Sequence, residues 1–183
     1  ILISGIMNGR GRWRVARFAF KAGEEFELKL AKLEKKSDEI ARKAIYRAAG
    51  ITIDEIRKNL NALPVDPKED IRKPYRYLAD GEKFQGVPSA QKDDLNDSLG
   101  ITPISVDSKG DMNTKVGFDG YGSQPTKTYP KGIPNQLIAR AIESGSSVRE
   151  KHAFVRPAVR RIKKEAVEAM QTVIDEEYKK IME

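Results

Sequence analysis

Cysteine is absent from this 183-residue chain, and His152 is its only histidine. The lack of cysteine excludes disulfides, thiolate zinc sites and cysteine nucleophiles, and a single histidine excludes a multi-histidine metal site or a histidine relay. Hydrophobic residues make up only 39% of the chain and charged residues 33%, a composition that favours long two-faced helices over the dense core of an enzyme. We therefore expect a protein that is not an enzyme and that binds no cofactor or metal.

Long apolar runs are also missing. No stretch of the sequence approaches the roughly 18 apolar residues that a membrane-spanning helix needs. The apolar start, Ile1 to Met7, is too short for a signal peptide, and its arginines follow the apolar stretch instead of preceding it. We expect a soluble protein that is made inside the cell and has no membrane partner.

Positive charge is concentrated at the start of the chain. The net charge is +7, and the first 20 residues contain four arginines and no acid. This basic arm, residues 1–20, resembles a short nucleic-acid-binding segment with a tryptophan available for stacking. Its candidate contact residues are Arg10, Arg12, Trp13, Arg14 and Arg17. An alternative stays open: residues 1–14 are translated from a purine-rich ribosome-binding site, and Val15 is the native start.

Residues 21–183 are predicted to form one domain bracketed by two amphipathic helices. Apolar residues at alternating spacings of three and four predict a helix from about Glu24 to Asn61, which Pro64 ends. A second helix is expected from about Arg156 to Met182, with Pro157 in its first turn. The core prediction is that one set of residues on the first helix faces the sheet and a second set on the last helix. The two sets are Phe26, Leu30, Leu33 and Ile40, and Ile162, Met170 and Val173.

The segment 62–94 follows neither helical nor strand periodicity and is rich in proline, glycine and charge. A structureless stretch of this length is unusual inside a compact domain, and we expect an extended arm that is mobile in the isolated subunit. Its aromatic residues, Tyr75, Tyr77 and Phe84, indicate that it docks on something. Two surfaces stay open: another subunit, or the helices of the same domain.

The remaining segment is predicted to contain the β structure. Residues 101–107 and 114–119 are β-branched and partly alternating, and the turn 107–111 joins them as a hairpin. The element 137–143 fits a strand or a short helix. Glycines in 117–122 precede no helix, so this run is read as a turn and not as a phosphate-binding loop. The fold class is therefore α+β: a short antiparallel sheet packed by two long helices, with an extended arm inserted.

Four short motifs occur in an order typical of one protein family. They are Ala62-Leu63-Pro64-Val65-Asp66, Leu95-Asn96-Asp97-Ser98-Leu99, Ala141-Ile142-Glu143-Ser144-Gly145-Ser146 and Ala153-Phe154-Val155-Arg156-Pro157-Ala158. In this order they resemble the small neck proteins of long-tailed bacteriophages and prophages, known as tail-completion, head–tail joining or minor tail-component proteins. The sequence departs from the family pattern in a 28-residue insertion between Asp66 and Leu95, in Ala153 where the family has proline, and in Ser146 where it has threonine.

The resemblance implies a structural virion protein at the head–tail junction, present in the host cytoplasm during assembly. It implies a homo-oligomer, expected as a hexameric ring, that contacts connector or stopper and tail-tube proteins and passes DNA as non-specific cargo. The motif residues Pro64, Ser98, Glu143, Gly145, Phe154 and Pro157 would fix the fold. The expected subunit interfaces are Tyr75, Tyr77 and Phe84 on one side, and Tyr121, Tyr129 and Ile133 on the other. The alternative function is a nucleic-acid-binding module that acts through the basic arm.

Overall fold

The structure is a computed structural model that describes residues 24–69 and 81–183. Its helices are α1 (Glu24–Ala62), α2 (Ser89–Ser98), α3 (Asn135–Ser144) and α4 (Val155–Met182). Its strands are β1 (Leu99–Ile101), β2 (Ser105–Val106), β3 (Met112–Asn113) and β4 (Val116–Phe118). The α+β class with two long helices and short antiparallel strands is confirmed.

Helices α1 and α4 lie side by side and run in opposite directions. Near one end of the pair, the Lys29 ammonium donates to the Met182 carbonyl oxygen at 2.7 Å. Near the other end, the Arg161 guanidinium donates to the Asn59 side-chain oxygen at 3.3 Å. The start of α1 therefore meets the end of α4, and the apolar stripe of each helix packs on the other.

The core lies at the second half of α1, where the start of α4, the hairpin, α2 and α3 converge. Its largest fully buried side chains are Phe154, Leu60, Leu95, Ile142 and Val87. The Phe118 and Phe154 rings pack with their centroids 5.9 Å apart, within the range of tilted aromatic pairs. The hydrophobic cluster thus surrounds the junction between α3 and α4.

The predicted contact set between α1 and α4 is partly wrong. Ile40 and Ile162 are buried as expected, whereas Leu33, Met170 and Val173 are only half-buried. Leu30 is 43% exposed, because the first turns of α1 reach the end of α4 and have little partner surface beyond it. The side chain of Phe26 lies outside the described side chains.

The predicted hairpin is confirmed, but its strands are shorter and interrupted. β1 pairs with β4 in the register Leu99 to Phe118, and β2 pairs with β3 nearer the turn. Between the two ladders, the Lys115 backbone N–H donates to the Thr102 hydroxyl at 2.9 Å, so a side chain replaces a regular ladder bond. The turn at 107–111 is closed by a hydrogen bond from the Asp111 N–H to the Asp107 carboxylate at 3.0 Å.

The two described ends of the segment predicted as an arm pack on the domain. Val65 and Val87 form a parallel bridge, and Val87 is fully buried. The chains approach so closely that a Cβ on Gly86 would lie 2.6 Å from the Val65 backbone, which requires glycine there. Helix α2 begins at Ser89, so residues 89–94 are helical and not part of an arm. Tyr75 and Tyr77 lie outside the described residues.

The element at 137–143, left open between strand and helix, is helical. It belongs to α3, which begins after Pro134 and ends at Gly145, where φ is 77°. A backbone bond from the Gly145 N–H to the Ala141 carbonyl oxygen at 2.9 Å closes its last turn, and positive φ suits glycine. Across 24–69 and 81–183, no helix has the length and apolarity to cross a membrane.

Candidate functional site

The junction between α3 and α4 is held by one buried carboxylate. Glu143 is 7% exposed and accepts hydrogen bonds from the backbone N–H groups of Phe154, Val155 and Arg156, at 2.7, 2.8 and 3.1 Å. The first N–H groups of a helix have no partner within the helix, and its N-terminal dipole favours negative charge. Glu143 therefore caps α4 from the neighbouring helix, and its charge serves the fold.

The other residues of the resemblance motifs also occupy structural positions. Phe154 is the residue before α4 and is fully buried, and Pro157 lies in the first turn of that helix. Pro64 follows the end of α1, and its carbonyl oxygen accepts the Val87 N–H at 2.9 Å. Ser98 is the last residue of α2, directly before β1. These residues thus lie at the ends of α1, α2 and α4, and their role in fixing the fold stays a prediction.

A buried arginine ties the segment before α2 to the loop between α3 and α4. Arg149 is 5% exposed, donates to the Gly86 carbonyl oxygen at 3.1 Å and to the Gln91 side-chain oxygen at 2.6 Å, and lies 4.8 Å from the centre of the Phe84 ring. Burial lowers the pKa of the Arg149 guanidinium, and the nearby Asp66 carboxylate acts in the opposite direction. An arginine pKa starts so high that the group keeps its charge at neutral pH.

A groove of about 940 Å³ opens between the hairpin, α3 and the start of α4. Its walls include Gly100 and Gly117, which face each other across β1 and β4, and a Cβ on either would meet open space. Three basic side chains line it, Lys115, Arg140 and Arg156. Glu143 also lines it, but its oxygens face the start of α4. Asp119 lines it as well, so the groove is a partly apolar surface on which three bases stand beside two acids.

The predicted interface residues differ in how much of each side chain is exposed and in what it contacts. Phe84 docks on its own chain: its backbone bonds to Val148 and Glu150 at 3.0 and 3.1 Å, and its ring contacts Arg149. Ile133 is half-buried and packs against the core cluster. Tyr121 is 61% exposed and Tyr129 37% exposed, so these two remain available to a partner. The predicted nucleic-acid residues Arg10, Arg12, Trp13, Arg14 and Arg17 lie outside the described residues.

In the described ranges, no group of three or more acidic or histidine side chains could hold a metal ion. A ring nitrogen of His152 lies 2.8 Å from the Gln85 carbonyl oxygen, and its backbone N–H donates to the Ile142 carbonyl oxygen at 2.8 Å. The first contact joins the loop after α3 to the segment before α2, and the second ties that loop back to α3. The contacts of Glu143, Arg149 and His152 thus hold separate segments of the chain together.

Sequence reasoning singled out Glu143 but missed the buried role of Arg149. A single arginine between Val148 and Glu150 carries no pattern that separates a buried guanidinium from a solvated one. Glu143 differs because it stands in a motif with a turn glycine, and a second motif with an aromatic residue follows. Comparison of the chain with models of known protein families, with curated protein sequences and with solved structures finds no match.

Proposed function

We propose that this chain is a structural virion-assembly protein at the head–tail junction of a long-tailed bacteriophage or prophage. In this proposal it forms a ring, expected to contain six copies, between the connector or stopper and the tail tube. The ring joins or closes the tube and lets DNA pass without reading its sequence. The proposal rests on the ordered motifs that resemble neck proteins.

The main structural support is that residues of those motifs join α3 to the closing helix α4. Glu143 and Phe154 stand in two of them, and together they fasten the closing helix to α3 through a three-bond cap and a buried ring. A protein that must keep its shape under the load of a packaged genome needs such fastening between elements. In this proposal the exposed Tyr121 and the groove beside the hairpin are the surfaces on which neighbouring proteins dock.

Genetic removal tests this proposal directly. Deleting the gene from its phage or prophage should leave DNA-filled heads and tails that do not join, and supplying the chain in trans should restore infectious particles. A matched rescue with Glu143→Ala should fail in proportion to its loss of folded protein, whereas Glu150→Ala, at an exposed position, should succeed. Normal particle yield without the gene would overturn the proposal.

Nucleic-acid binding remains a second candidate because one end of α4 is basic. Arg160 and Lys163 are exposed there, and a basic stripe on a folded helix is the usual electrostatic footprint of a nucleic-acid-binding protein. Duplex affinity that falls steeply with salt, and that Arg160→Glu weakens uniformly across sequences, would favour this candidate. Affinity that is unchanged by Arg160→Glu would remove α4 from consideration.

A further inference from the structure

Exposed basic side chains follow one face of the first half of α4. Residues 155–164 contain no acid, and Arg156, Arg160 and Lys163 are exposed there. Their intervals of four and three residues keep them within an arc of about 60° on the helix surface and spread them over about 10 Å along its axis. The dipole of a helix favours acids at its start, so helix stability does not account for this row of bases.

The groove beside the hairpin continues this row. Arg156 lines the groove together with Lys115, just before β4, and Arg140 on α3, and both of these bases are exposed. The lining also includes Gly100 and Gly117, and since neither has a side chain, the backbone of a ligand can approach the sheet closely there. The hairpin, α3 and α4 thus contribute to one surface, the basic band. It consists of Lys115, Arg140, Arg156, Arg160 and Lys163.

Contacts within the chain leave most of this charge free for a ligand. Of the five side chains of the basic band, Arg156 alone forms an ion pair with a residue of the described ranges, to Glu143 at 3.7 Å. The Glu143 carboxylate already accepts three backbone N–H groups at the start of α4. The other acid that lines the groove, Asp119, is exposed, and its carboxylate accepts the Gly120 N–H at 2.7 Å. The basic band therefore keeps a net positive charge beside one exposed acid.

We propose that the basic band binds the sugar–phosphate backbone of duplex DNA without reading its sequence. Phosphates complement the charge of the band, and lysines and arginines that cluster along a helix are the usual electrostatic footprint of a nucleic-acid-binding surface. Contacts to phosphate carry no sequence information. The one aromatic residue that lines the groove, Phe118, is buried, so no exposed ring is available there to stack on an unpaired base. The band therefore favours a duplex over a single strand.

Binding through the basic band deepens the nucleic-acid candidate above, and it rests on the proposed function only for its role in the virion, where the band would contact the DNA that passes the ring. It differs from binding through the basic arm, because the band belongs to the folded domain. Duplex binding by the purified chain and the joining of heads to tails are separate measurements. If the chain binds no duplex but its gene is still needed for joining, the proposed function stands and the role of the band is overturned.

Fluorescence anisotropy of the full chain with a short labelled duplex, measured over a range of salt concentrations, tests the band. The logarithm of the binding constant should fall linearly with the logarithm of the salt concentration, and each neutralised phosphate contributes about 0.9 to the slope. The double variant Arg160→Gln with Lys163→Gln removes two contacts and should reduce the slope by about 1.8. The control Lys179→Gln replaces an exposed base on the same helix, about 24 Å beyond Lys163, and should leave the slope unchanged.

The part of the band in the groove is tested in the same way. The double variant Lys115→Gln with Arg140→Gln should also reduce the slope by about 1.8. Asp119→Asn removes the exposed acid and keeps an oxygen that accepts the Gly120 N–H, so it should tighten binding to every duplex by about two- to five-fold. Unfolding cannot produce this gain of affinity, and unchanged circular dichroism melts exclude unfolding as the cause in the variants that bind less tightly.

Each alternative contact gives a different result. A chain that binds no duplex at low salt overturns the proposal, and so does a slope that stays unchanged in both double variants. If the slope falls instead in a variant with Arg10→Gln, Arg12→Gln and Arg14→Gln, the basic arm is the contact. A reduced slope in the α4 variant alone confines the contact to that helix and overturns the path through the groove. Tighter binding to a single strand, or affinity that differs widely between duplex sequences, overturns a contact to the duplex backbone.

Discussion

The Glu143 carboxylate accepts the backbone N–H of Phe154 at 2.7 Å, and the Phe154 side chain is fully buried. One residue on α3 therefore fixes the chain where the closing helix begins, and the next element is anchored at that same point in the core. The cap and the packing of Phe154 depend on each other, because a shift of the Phe154 ring would lengthen the hydrogen bonds that Glu143 accepts. The direction of α4, and with it the α1–α4 pair, follows from this junction.

Loss of the cap should destabilise the protein. Glu143→Ala leaves the N–H groups of Phe154, Val155 and Arg156 without their acceptor, and a buried donor without a partner costs about 1–3 kcal/mol. Urea denaturation should show this loss in the free energy of unfolding. The control Glu150→Ala, at an exposed position, should change it by less than about 0.5 kcal/mol. Equal melts for the two variants would contradict the capping role.

Truncation along α1 should have very different effects at its two ends. Leu60 is fully buried and Leu30 is 43% exposed. Leu60→Ala should lower the free energy of unfolding by about 2–5 kcal/mol, the range for a buried leucine, and Leu30→Ala should stay below about 1 kcal/mol. Thermal and urea melts compare them. If Leu30→Ala lost more free energy of unfolding than Leu60→Ala, the core would lie near the start of α1, which would contradict the structure.

Removal of the buried guanidinium should loosen the segment before α2. Arg149→Met keeps an apolar stem but leaves the Gly86 carbonyl oxygen without its donor, at a cost of about 1–3 kcal/mol. Hydrogen exchange should become faster at the amides of Phe84 and Val87. The control Arg140→Met, at an exposed position, should leave exchange at both amides unchanged. Faster exchange in this control alone would contradict the role of Arg149 in holding the segment.

A deletion that reaches Val87 should damage the fold. Val87 is fully buried in the core, so removal of residues 71–88 takes away a core side chain as well as the backbone bond to Pro64. Val87→Ala tests the side chain by itself and should cost about 1–3 kcal/mol. Circular dichroism and urea melts measure both variants. A deletion variant as stable as the parent would show that the described end of this segment is dispensable.

The sequence predicted the long helices closely, because their signals repeat over many turns. The bounds of α1 and α4 each differ from prediction by one residue at one end, where Pro64 and Pro157 restrict the chain. The hairpin was also predictable, because a turn rich in polar residues and glycine separates two β-branched runs.

Shorter elements were less predictable because tertiary contacts decide them. In α2 only Leu95 is fully buried, so its pattern resembles a polar loop. Residues 137–143 cover about two turns, too few for apolar spacing to separate a helix from a strand. Phe84 could not be assigned to its own chain, since its partner Arg149 lies far along the sequence.

The location of the chain in finished particles tests the central claim most directly. Virions that carry a short epitope tag on the chain would be labelled with gold-conjugated antibody and imaged by electron microscopy. The account predicts label at the junction between head and tail, and none on the capsid or along the tail. Purified particles that lack the chain, or label placed anywhere else on the virion, would contradict it.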